Sequence, residues 1–111
     1  MYVLNCTDVY LVRAIYVANE GLCVIAYTKD GEEYAVLTKS FPEFPFFGEK
    51  DLAFIDVNNY PGIEGFLDKY DIAKSLHFGI DSGFVTYPLY KFDLSKLIGE
   101  DNYEESNYNH I

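Results

Sequence analysis

Tryptophan is missing from this chain, and methionine, histidine and cysteine are scarce: one Met, two His and two Cys in 111 residues. Each shortage removes a class of protein. Two cysteines, Cys6 and Cys23, are too few for a small secreted scaffold, which carries four or more. They read as two free thiols in a reducing cytosol, Cys23 inside an apolar run and Cys6 near the N-terminus. Of the two histidines, His110 sits in a polar C-terminal stretch, which leaves His77 as the one candidate for proton transfer. A nucleophile–histidine–acid set would need Cys6 or Cys23, His77 and a distant aspartate, and nothing local marks either thiol as activated.

Sequence motifs with known chemistry are lacking as well. There is no glycine-rich phosphate loop, no Gly-x-Ser-x-Gly elbow, no Cys-x-x-Cys and no His-Glu-x-x-His. No apolar stretch approaches the roughly 20 residues that span a bilayer, and Met1-Tyr2-Val3-Leu4-Asn5 has no basic region leading into an apolar core. The expected location is the cytoplasm, with no membrane contact. Basic residues number eight against eighteen acids, a net charge of −10, which argues against direct nucleic-acid binding and against anionic lipid. Glu100, Asp101, Glu104 and Glu105 lie in the last dozen residues, and without them the body carries fourteen acids and eight bases. The sequence thus predicts a chain that is not an enzyme, with no catalytic residues, no cofactor and no metal.

Aromatic and apolar residues are abundant. Eleven Tyr and nine Phe favour pleated, half-buried surfaces, and half of the chain is apolar or aromatic, enough for one core. Val9 to Val17, Leu22 to Thr28 and Glu33 to Lys39 read as a β-meander. Its turns are Asn19-Glu20-Gly21 and Lys29-Asp30-Gly31-Glu32, the latter with the hairpin dipeptide Asp-Gly. Both faces of the first two strands are apolar, so at least one strand is central or covered on both sides. Leu52 to Val57 is a further strand. Asn59 or Tyr60 caps a helix with Pro61 near its first position, and Ile63, Phe66, Leu67 and Tyr70 form its apolar stripe. Leu76 to Ile80 and Gly83 to Phe92 form a hairpin through Asp81-Ser82-Gly83, with Pro88 placing an edge or a bulge. The expected fold is α+β: an antiparallel β-sheet of about five to six strands, meander plus C-terminal hairpin, with one main helix packed on one face. It forms a single domain over residues 1–98, followed by a disordered acidic tail, 99–111.

Two features invite a chemical reading. Glu64 and Asp68, at i and i+4 on the helix, suit a divalent cation or a shared proton, but most such pairs are a solvated face. Phe41 to Phe47 holds four Phe and two Pro in seven residues, too apolar for a plain surface loop. It reads as a plug folded over one end of the sheet or, more sharply, as a partner-docking patch of Phe44, Phe46 and Phe47 extended by Tyr87 and Tyr90.

Glu33-Tyr34-Ala35-Val36-Leu37-Thr38 and a Pro-containing break precede Phe54-Ile55-Asp56-Val57-Asn58-Asn59 and Pro61-Gly62-Ile63-Glu64-Gly65-Phe66-Leu67, and Ser82 to Leu94 follow. In this order of segments, over roughly residues 8 to 97, the chain resembles an uncharacterised bacterial domain-of-unknown-function family of about a hundred residues. The resemblance implies a setting on conjugative transposons, phages and related mobile elements of Gram-positive bacteria, and no site residues. The function expected from all of this is a small acidic accessory protein of a mobile element. It would be a protein-interaction module, a monomer or weak homodimer, with an unidentified protein partner. The alternative is an acidic DNA mimic acting as an anti-restriction or anti-defence factor.

Overall fold

A computed structural model describes residues 1–17, 20–46 and 48–99. Asn19 of the first expected turn, Phe47 and the expected acidic tail beyond Gly99 fall outside the described residues. The fold is α+β and mostly antiparallel, but it has two sheets of four strands instead of one sheet of five or six. Sheet I joins β1 (Tyr2–Leu4), β2 (Thr7–Ile15), β3 (Leu22–Thr28) and β4 (Glu33–Val36) in chain order. Sheet II contains β5 (Thr38–Lys39), β6 (Leu52–Ile55), β7 (Ala73–Ser82) and β8 (Val85–Phe92), in the order β5-β6-β8-β7.

The extra sheet arises because the third expected strand, Glu33 to Lys39, breaks at Leu37. Leu37 is completely buried. Its N–H donates to the Val24 carbonyl of sheet I at 2.9 Å, and its carbonyl accepts from the Asp56 N–H, beside sheet II, at 3.0 Å. One residue therefore serves both ladders. Thr38 makes the crossing tolerable: its Oγ1 accepts the Val24 N–H at 3.3 Å, and its hydroxyl pairs with that of Tyr16 at 2.8 Å. Buried backbone donors need partners, and here a side chain supplies one.

The first eight residues also fold differently from the reading above, which assigned no strand before Val9. Asn5 and Cys6 both adopt positive φ (49° and 66°), forming a two-residue connection that folds β1 onto β2. Asparagine accepts that conformation readily; cysteine has no local hydrogen bonding to favour it, which is why the turn was illegible.

The main core lies between the sheets. Val9 and Leu11 of β2, Leu22, Val24 and Ala26 of β3, and Ala35 and Leu37 face Ala53 and Ile55 of β6, with Tyr90 and Phe92 of β8. Helix α1 (Ile63–Lys69) closes it with Ile63, Phe66 and Leu67, all buried, so the expected stripe holds and Tyr70 is half-buried at the C-terminal cap. The helix starts later than expected. Gly62, not Asn59 or Tyr60, is the N-cap, with no side-chain cap. Asn59 instead joins a turn in which the buried Asp56 carboxylate accepts its backbone N–H at 3.2 Å and its side-chain Nδ2–H at 2.7 Å. Gly65, inside the helix, lowers its propensity by about 1 kcal/mol, so packing holds the helix in place.

A candidate interaction surface on the second sheet

The outer face of sheet II carries an aromatic cluster. Phe54 of β6 and Tyr87 and Leu89 of β8 point away from the main core, by the alternation of a strand. The 41–46 segment folds back over them and buries Phe46. Ring centroids of Phe44 and Phe54 are 5.0 Å apart, those of Phe41 and Phe54 5.3 Å, and those of Phe41 and Tyr87 5.4 Å, all edge-to-face. Pro42 and Pro45 suit this loop, which is neither helix nor strand and donates few ladder bonds. Lys39 holds its ammonium 5.9 Å from the Tyr87 ring centre on the same face.

The residues singled out from the sequence thus separate. Phe44, Phe46 and Tyr87 come together, with Phe44 half-buried and the other two buried. Tyr90 points to the opposite face, into the main core, where its hydroxyl donates to Glu64 Oε1 of α1 at 2.7 Å. Burial, reinforced by the Glu64 bond and charge, pushes that hydroxyl well above its ordinary value. Glu64 is therefore a bonding partner that ties the helix to β8.

Sequence reasoning missed the exposed part of this surface. On the β7–β8 arm the register runs Ser75↔Tyr90 and then Gly79↔Pro88, so Leu76, His77 and Phe78 of β7 stand opposite Leu89 alone. Pro88 lies beyond β6, whose pairing with β8 ends at Phe54↔Leu89, so its missing N–H falls where that side of the strand is an edge, and the bulge forms on the partner strand β7, opposite Leu89. His77 takes φ 59°, and its N–H donates to Ser75 Oγ at 3.1 Å. Gly79 ends the bulge where a Cβ would meet the Tyr87 carbonyl oxygen and Thr86 Cγ2 at 2.9 Å, so only glycine fits.

The bulge projects apolar side chains into water. Leu76 is 42 % exposed and Phe78 52 %, while Phe84 at the hairpin tip is fully exposed. The Phe78 ring lies 6.2 Å from that of Phe44, which links the bulge to the aromatic cluster. The visible signal was an apolar pair, Leu76 and Phe78, just ahead of a glycine and across a hairpin from a proline.

Acid–base chemistry has little to work with among the described residues. His77 is exposed on the bulge. Cys6 is exposed in its turn; Cys23 is fully buried, and burial pushes its thiol up, away from the reactive thiolate. No three His, Cys, Asp or Glu side chains converge as metal ligands among the described residues. No helix of the described chain is long and apolar enough to cross a membrane.

Neither the curated proteins nor the solved structures contain a match to the chain. A family model does match it, over residues 11–110, taking in sheet II, the helix, the bulged arm and sheet I from within β2 onward, with β1 outside the match. The chain belongs to the family described as a domain of unknown function, DUF4313.

Proposed function

We propose that this chain is a non-enzymatic protein-interaction module, accessory to a mobile element, that meets a protein partner along the ridge formed by Phe44, Leu76, Phe78 and Phe84. The observation that carries the reading is the exposure of Leu76, Phe78 and Phe84 on a strand pair whose own packing is satisfied elsewhere. Large apolar side chains held in water by ordered backbone are the usual anchors of interfaces. The bulge also disrupts the outer edge of β7, which disfavours strand addition and points to recognition through side chains. The mobile-element setting draws on the family resemblance alone.

The DNA-mimic alternative gains no observation of its own. Among the described residues, exposed acids stand on separate elements, such as Asp30, Glu32 and Glu33 at one hairpin, Glu64 and Asp68 on α1 and Asp81 on β7, with Lys29 and Lys69 beside them. To test the interaction reading, Leu76, Phe78 and Phe84 are changed together to serine, and wild type and variant are used as bait in the native host. The variant is expected to keep its circular dichroism spectrum and to lose a partner that wild type retains at stoichiometric yield. A variant that keeps every such partner refutes the ridge as the docking surface.

A further inference from the structure

The chain carries a net charge of −10, yet on sheet II the balance reverses. Its strands hold three lysines, Lys39, Lys74 and Lys91, and a single acid, Asp81. Register places all three lysines on the outer face, because residues directly opposite in an antiparallel pair share a face. Lys39 stands opposite Phe54 of the aromatic cluster. Lys91 stands opposite Leu52, which packs against the same cluster, and Lys74 stands opposite Lys91. Asp81 is paired with Thr86, one step out of phase with Ile80 and Tyr87 of the cluster, and it accepts the Thr86 hydroxyl. The strand positions of the outer face therefore carry lysines and no carboxylate.

These lysines are poorly neutralised within the chain. Lys74 and Lys91 are directly opposed, an arrangement that is unfavourable for like charges. Asp51 offsets Lys91 at 3.8 Å, with the lysine side chain still 61 % exposed. Among the described residues no carboxylate forms an ion pair with Lys39 or Lys74, and both are exposed. β5 and β7 are the outermost strands of the sheet, three strand spacings or about 14 Å apart. Lys39 and Lys74 thus bracket the aromatic cluster, and Lys74 comes two places before Leu76 on the ridge.

We propose that the partner segment meeting this surface is acidic as well as apolar. It is a protein segment that seats apolar side chains on Leu76, Phe78 and Phe84 and sets aspartate or glutamate carboxylates against Lys74 and Lys39. This rests on the reading of the ridge as a docking surface and adds the chemistry of what docks there. Apolar anchors supply the affinity, and the rim charges select the partner and fix its orientation. At physiological salt, charges are screened beyond about 8 Å, so a docked segment senses these lysines more than the net charge of the whole chain.

The probe is a phage-displayed library of random peptides, panned on the immobilised full-length protein. Enriched peptides are expected to combine Asp or Glu with Leu, Phe or other large apolar residues. A synthetic copy of the most enriched peptide is then titrated by fluorescence anisotropy. Lys39→Glu with Lys74→Glu is expected to weaken its binding about tenfold or more. Lys29→Glu with Lys69→Glu makes the same change of net charge at the β3–β4 hairpin and on α1, and is expected to weaken binding less than about twofold. Circular dichroism checks that both variants fold; if the first does not, Lys39→Gln with Lys74→Gln takes its place, with a loss of about threefold expected. Peptides lost when Leu76, Phe78 and Phe84 become serine, but bound equally by both lysine variants, would overturn the acidic partner and leave the ridge standing. Peptides indifferent to the serine changes as well, or no enriched peptide, would overturn both readings. Co-sedimentation with phosphatidylglycerol vesicles that Phe84→Ser abolishes would make the surface a lipid contact and overturn the proposal.

Discussion

The two sheets each turn an apolar face away from the common core, and the two faces are finished differently. On sheet I the outer residues are mostly aliphatic or small, Val12, Ala14, Cys23 and Ile25 with Tyr27 as the buried aromatic, and these side chains are closed to water. On sheet II they are mainly aromatic, Phe46, Phe54 and Tyr87 beside Leu89, with Phe41 and Phe44 above, and the cover stops short at the bulge. Aliphatic side chains on a pleated surface interdigitate tightly and leave little at the rim. Rings packed edge-to-face leave large faces at the margin, and Phe44 and Phe78 are such a margin. On the proposed reading the difference divides the labour: the first face would contribute stability alone, and the second stability at its centre and recognition at its edge.

The largest effect should come from emptying the centre of either face. Phe54 is 1 % exposed and meets Phe41, Phe44 and Phe46. Phe54→Ala is expected to destabilise by about 3–5 kcal/mol, and Ile25→Ala on the other face by about 2–5 kcal/mol, as read from urea midpoints. A value below about 1 kcal/mol for Phe54→Ala would mean that the aromatic face is not a core at all.

Next come the two devices that allow there to be two faces. Thr38→Val keeps the shape at the sheet crossing but orphans the Val24 N–H, while the Tyr16 hydroxyl loses its Thr38 Oγ1 partner and keeps the Thr38 carbonyl, at a cost of about 1–3 kcal/mol. Gly79→Ala drives a methyl against the Tyr87 carbonyl, a rigid neighbour, and should cost about 1–3 kcal/mol while disturbing the register of the arm. If Gly79→Ala melts like wild type, the close approach in the bulge is mistaken.

These devices mark where the sequence stopped being legible. The meander, the helix stripe of Ile63, Phe66 and Leu67, and the arm around Pro88 follow from periodicity and from turn chemistry, and all are present. The second sheet does not follow, because Glu33 to Lys39 alternates without a break and nothing in the pattern shows that Leu37 changes partners. Thr38 announces the crossing only through a hydroxyl whose partners lie fourteen and twenty-two residues away. The aromatic loop was visible as an oddity, whereas its neighbours were not: parity assigns Tyr87 and Tyr90 to opposite faces, yet only the register shows which face the loop covers. Leu76 and Phe78 read as ordinary strand residues until the bulge turns them into water.

Alkaline pH separates the faces more gently. Burial pushes the Tyr16 hydroxyl, beside Cys23, and the Tyr90 hydroxyl, bonded to Glu64, above their ordinary value of 10. The unfolded phenols ionise at that ordinary value while the folded ones stay protonated. Stability from both is therefore intact below about pH 10 and declines as pH rises further. Tyr16→Phe and Tyr90→Phe should each flatten the decline of the urea midpoint above that pH. A midpoint that falls just as steeply in both variants would show that neither hydroxyl is the source.

The smallest effect on stability belongs to the margin, and there it is most informative. Phe84 is fully exposed at the tip and Phe78 is half in water, so serine at either removes little buried surface. Each change is expected to alter stability by no more than about 0.5 kcal/mol. If the margin existed to hold the aromatic face together, Phe78→Ser would instead approach the cost of a core truncation, because Phe44 would lose its neighbour. Near-neutral stability together with lost partner binding places recognition at the edge of sheet II. A loss of several kcal/mol at Phe78 would make the two outer faces alike, each a core and nothing more.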